Sequence, residues 1–284
     1  MQYDYYLYSN IFYTCVTVTL IQFILFWIIS VKLTNASIVD LIWGTTYAIN
    51  VSISLLLSII FNYKKLINLN SKEVILIFLF TTSIAAHGIR LTVYLCKRNI
   101  GQGEDKRYKA FRKKFGENYY WIVSLFQVFL LQWCISCIIC SPFRFSIFYI
   151  IDKNTQISDI QYFLAYIGIL IAIISTILQH FADEQLYKFL NDKNRDEKIL
   201  KKGLWKYSRH PNYFAEILFH WSIYFICLSL GDIYRIYPAI IMNILLIYVS
   251  GVNLTEKLMK RNNNYSEEYR EYIESTNALI PKLY

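Results

Sequence analysis

Charge is the scarcest property of this sequence: Asp, Glu, Lys and Arg make up 17% of its 284 residues, against about a quarter in an ordinary soluble domain. A water-soluble fold of this size has to cover its surface with polar groups, and so few charges cannot do it. Glycine and proline are thin too, at 9 and 4 residues, which excludes collagen-like repeats and Pro- or Gly-rich linkers. The 6 cysteines lie mostly inside apolar runs, without the loop spacing of a disulfide framework. Acids are outnumbered 20 to 29 by Lys and Arg, for a net charge of +9. In a soluble chain that excess points to nucleic acid. Here it lies in short stretches between apolar runs, where membrane topology accounts for it, and no nucleic-acid partner is expected. The opening MQYDYYLYSN has neither the basic start of a signal peptide nor the Arg-rich pattern of a transit peptide, so the first apolar run is expected to stay in the protein.

What is abundant is apolar surface, with 56% hydrophobic and 18% aromatic residues. A helix crosses the bilayer core in about 20 residues, and seven runs are long enough: 11–31, 36–61, 74–96, 119–140, 160–181, 213–230 and 236–252. The sequence therefore predicts an all-α fold, a polytopic transmembrane helical bundle of about seven spans, built as a single integral membrane domain over 1–284. A shorter run, 143–151, is too short to span and is expected at the membrane interface. Residues 97–118 carry eight Lys and Arg against three acids, and 182–212 carry eight against five. Both stretches follow odd-numbered spans, so the positive-inside rule puts the amino terminus outside and the carboxyl terminus inside. Membrane lipids are the first partners to expect.

Ionisable groups within spans are costly, so each becomes a functional candidate. Asp40 opens the second span, in SIVDLIWG. His87 and Arg90 lie three residues apart in the third, on one helix face. Asn212, Glu216 and His220 form an i, i+4, i+8 stripe in the sixth. With the orientation above, Asp40, Arg90 and Glu216 fall toward the inner ends of their helices. The plainer alternative for each is a buried ion pair or a helix–helix hydrogen bond.

The segment GLWKYSRHPNYFAE, 203–216, is the most informative in the chain. Pro211 fits the first turn of a helix, where a missing N–H costs nothing, with Ser208 or His210 as cap. The helix start then presents free N–H groups beside Arg209 and His210, the elements of an anion site. Lys201, Lys202 and Lys206 add charge for phosphates. Asp183 and Gln185, expected in a loop, offer hydrogen bonds to ribose or carboxamide, and Trp205, Tyr207 and Tyr213 could cover a flat ring. Anionic lipid headgroups would account for the lysines alone, but not for an Arg-His-Pro-Asn-Tyr cluster running into a buried Glu. Other chemistry is weaker. Ser208 and His210 form no oriented nucleophile–base pair, and Gly101-Gln-Gly103 lacks a dinucleotide-binding context. Cys134, Cys137 and Cys140 read as packing residues of an apolar helix, and no zinc pattern or other metal site is apparent.

The same residues carry a resemblance. GLWKYSRHPNYFAE, with ADEQLYKFL (182–190) before it and VSGVNLTEKL (249–258) and YREYIESTNALIPKLY (269–284) after it, resembles the carboxyl-terminal domain of 3-oxo-5-alpha-steroid 4-dehydrogenase, in the steroid 5-alpha-reductase superfamily. VDLIWG (39–44), IRLTVYLCKR (89–98) and GEDKRY (103–108) agree with it in order, so the reductase-like motifs concentrate in 180–284 but begin earlier. The resemblance implies a seven-helix membrane fold enclosing NADPH, with hydride transfer to a C=C bond conjugated to a carbonyl in a lipophilic, sterol- or polyprenyl-like substrate. It places cofactor contacts on Asp183, Asn212, Glu216 and Tyr265, with weaker transfers to Arg90, Arg98, Tyr207, Arg209 and His210. The glutamate and tyrosine that polarise the enone oxygen in that superfamily correspond here to Asp40 and His87, both departures from its pattern. Isoprenylcysteine carboxyl methyltransferases share the Arg-His-Pro-x-Tyr helix start, so a methyltransferase using S-adenosylmethionine is one alternative. A non-catalytic structural subunit of a larger membrane assembly is another. The superfamily implies an endoplasmic-reticulum-type membrane, with the mitochondrial inner membrane as the alternative.

Overall fold

A computed structural model describes residues 5–152, 157–261 and 266–282. Among these the chain is helical, without strands. Six stretches are long and apolar enough to cross a membrane: Tyr8–Lys32, Ala36–Phe61, Ser71–Asn99, Tyr120–Ile151, Asp159–Asn191 and Ile233–Lys260. The protein is an integral membrane protein of the all-α, polytopic kind. The remaining expected span, 213–230, is helical over Pro211–Ser229 but is not among the six, because Asn212, Glu216 and His220 dilute its apolar character.

The chain folds into two units. The first comprises Met1–Tyr166 and Ile226–Asp232; the second comprises Ile167–Phe225 and Ile233–Tyr284.

The first unit is built on α1 (Tyr5–Lys32), a 3-10 turn at Ala36–Ile42, α2 (Trp43–Phe61), the short α3 (Tyr63–Leu66) and α4 (Ser71–Asn99). The surface helix α5 (Lys106–Phe115) follows, then α6 (Tyr120–Ser124), α7 (Leu131–Ile139) and α8 (Ser141–Asp152). Helix α2 packs against α1, α4 and α8. Its buried stripe is mostly small and polar, with Gly44, Thr46, Asn50, Ser54 and Ser58 beside Tyr47 and Val51, while Leu56 and Ile60 point outward. That inversion suits a helix in lipid, where small residues let backbones approach and apolar side chains meet acyl chains. The hydroxyls cost little there, because Thr46 Oγ1 donates to the Ile42 carbonyl at 2.7 Å and Ser54 Oγ to that of Asn50 at 2.6 Å. Closest approach is at Gly44 and Gly88: a Cβ on Gly44 would stand 2.0 Å from the Gly88 carbonyl oxygen. Helix α4 begins with a capping box in which Asn70 accepts from the Glu73 N–H and Glu73 from the Asn70 N–H, each at 2.9 Å. Each bond satisfies a backbone donor that the helix start would otherwise leave unpaired.

The run 143–151 belongs to α8, and Phe143, Arg144, Ile147, Phe148 and Ile150 are each at most 2% exposed. The apolar run is enclosed because α8 packs against α2 and α1.

The second unit holds most of α9 (Asp159–Asn191), a 3-10 turn at Gly203–Lys206, and most of α10 (Pro211–Ser229). Beyond these come α11 (Tyr237–Ile244), a π turn at Leu245–Val249, α12 (Val252–Arg261) and α13 (Ser266–Ser275). Ile199, Tyr269 and Tyr272 form its buried cluster, flanked by Met259 and Ile273. Helix α9 continues ten residues past the expected end of its span, to Asn191. Asp183 and Gln185, expected in a loop, are therefore helical.

Candidate functional site

In the second unit, α10 starts at Pro211 as its residues dictate, and Ser208 Oγ accepts from the His210 N–H at 3.2 Å to set the entry to the helix. The polar stripe of α10 then lies against α9. Asn212 Nδ2 donates to Asp183 Oδ1 at 3.1 Å, Gln179 Nε2 donates to Glu216 Oε2 at 2.7 Å, and His220 Nε2 lies 3.3 Å from Glu216 Oε1. All five side chains are buried, at 9% exposure or less. The spacing explains it: positions 179 and 183 are one helical turn apart on α9, as are 212, 216 and 220 on α10, so two ladders mesh. Among the described residues of this unit, two buried polar side-chain atoms have no hydrogen-bond partner, Gln179 Oε1 and His210 Nε2. The His210 ring stacks on Tyr213, centroids 5.4 Å apart and 9° from parallel.

Arg209 is committed elsewhere. Its Nη2 and Nε donate to Glu256 Oε1 on α12 at 2.6 and 2.9 Å, and its Nη1 donates to the carbonyls of Ile273 and Thr276 at the end of α13. His210 Nε2 stands 3.5 Å from the same Glu256 oxygen, within ion-pair reach but short of a formed hydrogen bond. The tail is strapped to this loop by its backbone: the Arg209 N–H donates to Asn277 at 2.9 Å, the Lys282 N–H to Tyr207 at 2.8 Å, and Ser208 Oγ to Leu279 at 2.8 Å. The Tyr272 hydroxyl donates to the Trp205 carbonyl, and burial raises its phenol above the usual range. Trp205 is itself buried and donates to the Ala182 carbonyl at 3.1 Å, so it supports the loop and does not cover a ligand. Gln185 is spent as well: its Oε1 accepts from the Leu204 N–H at 2.9 Å, packed over Gly203, whose φ of +61° only glycine adopts readily. Of the lysines, Lys202 pairs with Glu197 at 2.6 Å and Lys201 lies 3.7 Å from Glu268, while Lys206 sits over the Tyr207 ring at 5.9 Å. Tyr207 is half in solvent. Tyr265 lies outside the described residues.

The other candidates belong to the first unit. Asp40 is on the turn before α2, and both of its oxygens are engaged from α5: Tyr108 Oη donates to Oδ1 at 2.9 Å and Arg107 Nη2 to Oδ2 at 3.2 Å. Gln132 Nε2 donates to Tyr108 Oη at 3.2 Å while its Oε1 accepts from Trp43 Nε1 at 2.6 Å, completing a hydrogen-bonded chain. Burial first, then the charge of Asp40, push the Tyr108 phenol well above its ordinary value, so it remains a proton donor. His87 is fully buried and stacks on Tyr47 at 6.1 Å and 13°. Arg90 is half-buried one turn further along α4, and Arg98 lies over the Tyr94 ring at 5.5 Å near that helix's end.

Sequence reasoning misses two features. Arg107 and Tyr108 belong to the motif GEDKRY, yet nothing in their spacing shows that they return to Asp40. Arg144 is hidden within the short run 143–151. It is 1% exposed, donates to Asn50 Oδ1 at 2.6 Å and to the Cys137 carbonyl at 2.8 Å, and its Nε has no partner. The signal is there, since an arginine inside an apolar run is the same cue that singles out Arg90.

No curated protein and no solved structure matches the chain. Residues 26–276 match the family described as "Protein of unknown function (DUF1295)", and the chain belongs to that family.

Proposed function

We propose that the protein is an NADPH-dependent reductase of a conjugated C=C bond in a lipophilic, sterol- or polyprenyl-like substrate. The observation that carries this is the meshed polar array of α9 and α10, left incomplete at one buried atom, Gln179 Oε1, with a second, His210 Nε2, beside Glu256 at the start of α10. A buried polar atom without a partner costs about 1–3 kcal/mol, and ligand groups that pair with it recover that cost. The array fits a nucleotide: Asp183 and Glu216 offer acceptors for ribose hydroxyls, Asn212 and Gln179 both donate and accept as a carboxamide requires, and Tyr213 and His210 present a stacked face. Lys206 and the first turn of α10 are the elements left for phosphate, because Arg209 is held by Glu256. The resemblance of the motifs in 182–216 to the steroid 5-alpha-reductase superfamily supports the same cofactor.

NADPH, when bound, supplies a hydride. Asp183, Asn212 and Glu216 would hold and orient it. In such a reduction the carbonyl oxygen of the substrate would gather negative charge. That oxygen needs a donor. The resemblance puts that role on Asp40 and His87; Tyr108, whose hydroxyl donates to Asp40, would serve only by turning its single proton from the carboxylate to the substrate. The substrate's solubility in the bilayer fits the apolar outward faces of the spans. An endoplasmic-reticulum-type membrane follows from the superfamily, with the mitochondrial inner membrane as the alternative.

A non-catalytic subunit is favoured by one observation. Both oxygens of Asp40 and most donors of Arg209 are already engaged inside the protein, as in a scaffold. Mass spectrometry of the small molecules released from natively purified protein tests these readings. NADP(H) at near-equal stoichiometry is expected. S-adenosylmethionine or its product would replace the reductase with a methyltransferase, and an empty site with co-purifying subunits would replace it with a structural role.

A further inference from the structure

The helix α5 (Lys106–Phe115) separates its two kinds of basic residue by face. Its arginines point inward and are neutralised. Arg107 pairs with Asp105 at 2.9 Å and Asp40 at 3.2 Å, and Arg112 pairs with Glu104 at 2.8 Å while lying over the Tyr120 ring at 4.5 Å. The acids are fixed in turn: Glu104 accepts from the Ala36 N–H at 2.8 Å, and the Asp105 N–H donates to Ser37 Oγ at 2.6 Å. Lys106, Lys109, Lys113 and Lys114 point outward, exposed, and carry no ion pair among the described residues. The first three recur at i, i+3 and i+7, one stripe of a helix. Glu117 is the sole acid from 106 to 119.

This stripe sits at a membrane boundary. The spanning helix α4 ends at Asn99 just before it, and the next span begins at Tyr120 just after. Tyr119 and Trp121, 69% and 47% exposed, flank it, and Trp121 is held by Trp27, whose Nε1 donates to its carbonyl at 3.0 Å. Exposed Tyr and Trp mark the headgroup level, where an aromatic ring suits both apolar and wet surroundings.

We propose that the outer face of α5 is a binding site for the headgroups of anionic glycerophospholipids. Charge complementarity carries the assignment. Four uncompensated ammonium groups at headgroup depth attract a negatively charged leaflet, and every nearby acid that could have neutralised them, Glu117 aside, is spent on an inward-facing arginine. Lysine suits this role, as a compact, mobile cation that follows shifting phosphates, whereas the planar arginines suit fixed carboxylates. The site also has a consequence for Asp40. The two residues that hold it, Arg107 and Tyr108, lie on the same turn as Lys106 and Lys109, so lipid bound outside presses the helix onto the acid inside. The lipid site does not depend on any reductase activity.

The test is native mass spectrometry of the full chain in mild detergent, titrated with phosphatidylglycerol or phosphatidylcholine, for the wild type and for a variant with Lys106, Lys109, Lys113 and Lys114 all changed to Gln. The wild type should prefer phosphatidylglycerol by at least about tenfold, and the variant should lose most of that preference. A variant with Lys201→Gln and Lys202→Gln should keep it. Phosphatidylglycerol should also slow hydrogen exchange across 106–115 in the wild type only. Equal preference in the wild type and the fourfold variant overturns the site, as does a preference that follows Lys201 and Lys202. Inorganic phosphate that slows exchange as well as the lipid does would overturn the headgroup assignment.

Discussion

Arg144 and Asn50, 94 positions apart in the chain, meet at 2.6 Å between α8 and α2 with no carboxylate to neutralise the cation among the described residues. The guanidinium is held by dipoles instead: the Asn50 side chain, the Cys137 carbonyl and the face of Phe12, 5.4 Å away. A buried charge whose partner is removed costs far more than a pair removed together. Asn50→Leu alone should lower stability by about 3 kcal/mol, and adding Arg144→Met should recover most of that loss. Thermal unfolding in detergent checks it, and additive losses in the double variant would show that the pair is not a unit.

The glycine contact between α2 and α4 should tolerate no side chain. A Cβ on Gly88 would stand 2.3 Å from the Gly44 carbonyl oxygen, with Tyr47 Cβ and the Ala48 nitrogen of the same helix at 3.2 and 3.3 Å. Gly88→Ala should therefore cost about 3 kcal/mol, although alanine is the better helix former. His87 is the preceding residue, so the same variant should displace it. A Tm equal to that of the wild type would contradict the packing.

Asn212→Ala and Glu216→Ala remove two α10 members of the buried array. If the array holds the nucleotide, each should abolish cofactor retention while the helical circular dichroism stays native. Retention unchanged in both would remove the proposed pocket.

Proton delivery separates two residues. His87→Phe should eliminate turnover while sparing cofactor binding if the imidazole is the donor. Tyr108→Phe should do so if the phenol is. The variant that keeps wild-type turnover excludes its residue, and loss in both assigns the proton to a relay that needs each.

Asp105 gives the docking of α5 a pH dependence. Burial raises its carboxyl, but the side-chain and backbone hydrogen bonds from Arg107 outweigh that and hold it below the ordinary carboxylate range. A depressed folded value means that the contribution is complete above the ordinary aspartate range and is lost as pH falls through the lower folded value. Hydrogen exchange across 106–115 should thus stay slow through mild acid and quicken only below that range. Asp105→Asn should remove this acid limb. An acid limb unchanged in the variant would place the titration elsewhere.

The membrane class and most helices were legible from hydropathy alone, since a spanning helix satisfies its own backbone and needs only apolar side chains. The run 36–61 matches a candidate span residue for residue. The polar stripe at 212, 216 and 220 was legible from helical spacing. Failures came where neighbours decide. Helix α9 ran on through Asp183 because nothing in its sequence stops a helix at the membrane surface and the loop at 203–205 packs against it. Nothing within 143–151 shows that α1 and α2 cover it. By itself the sequence determined what must avoid water, a property each residue carries locally. Only the tertiary structure decided which polar groups hold one another: Asp40 with Tyr108 across 68 positions, Arg209 with Glu256 across 47. A hydrogen bond reaches about 3 Å, and the folded backbone alone decides which residues come that close.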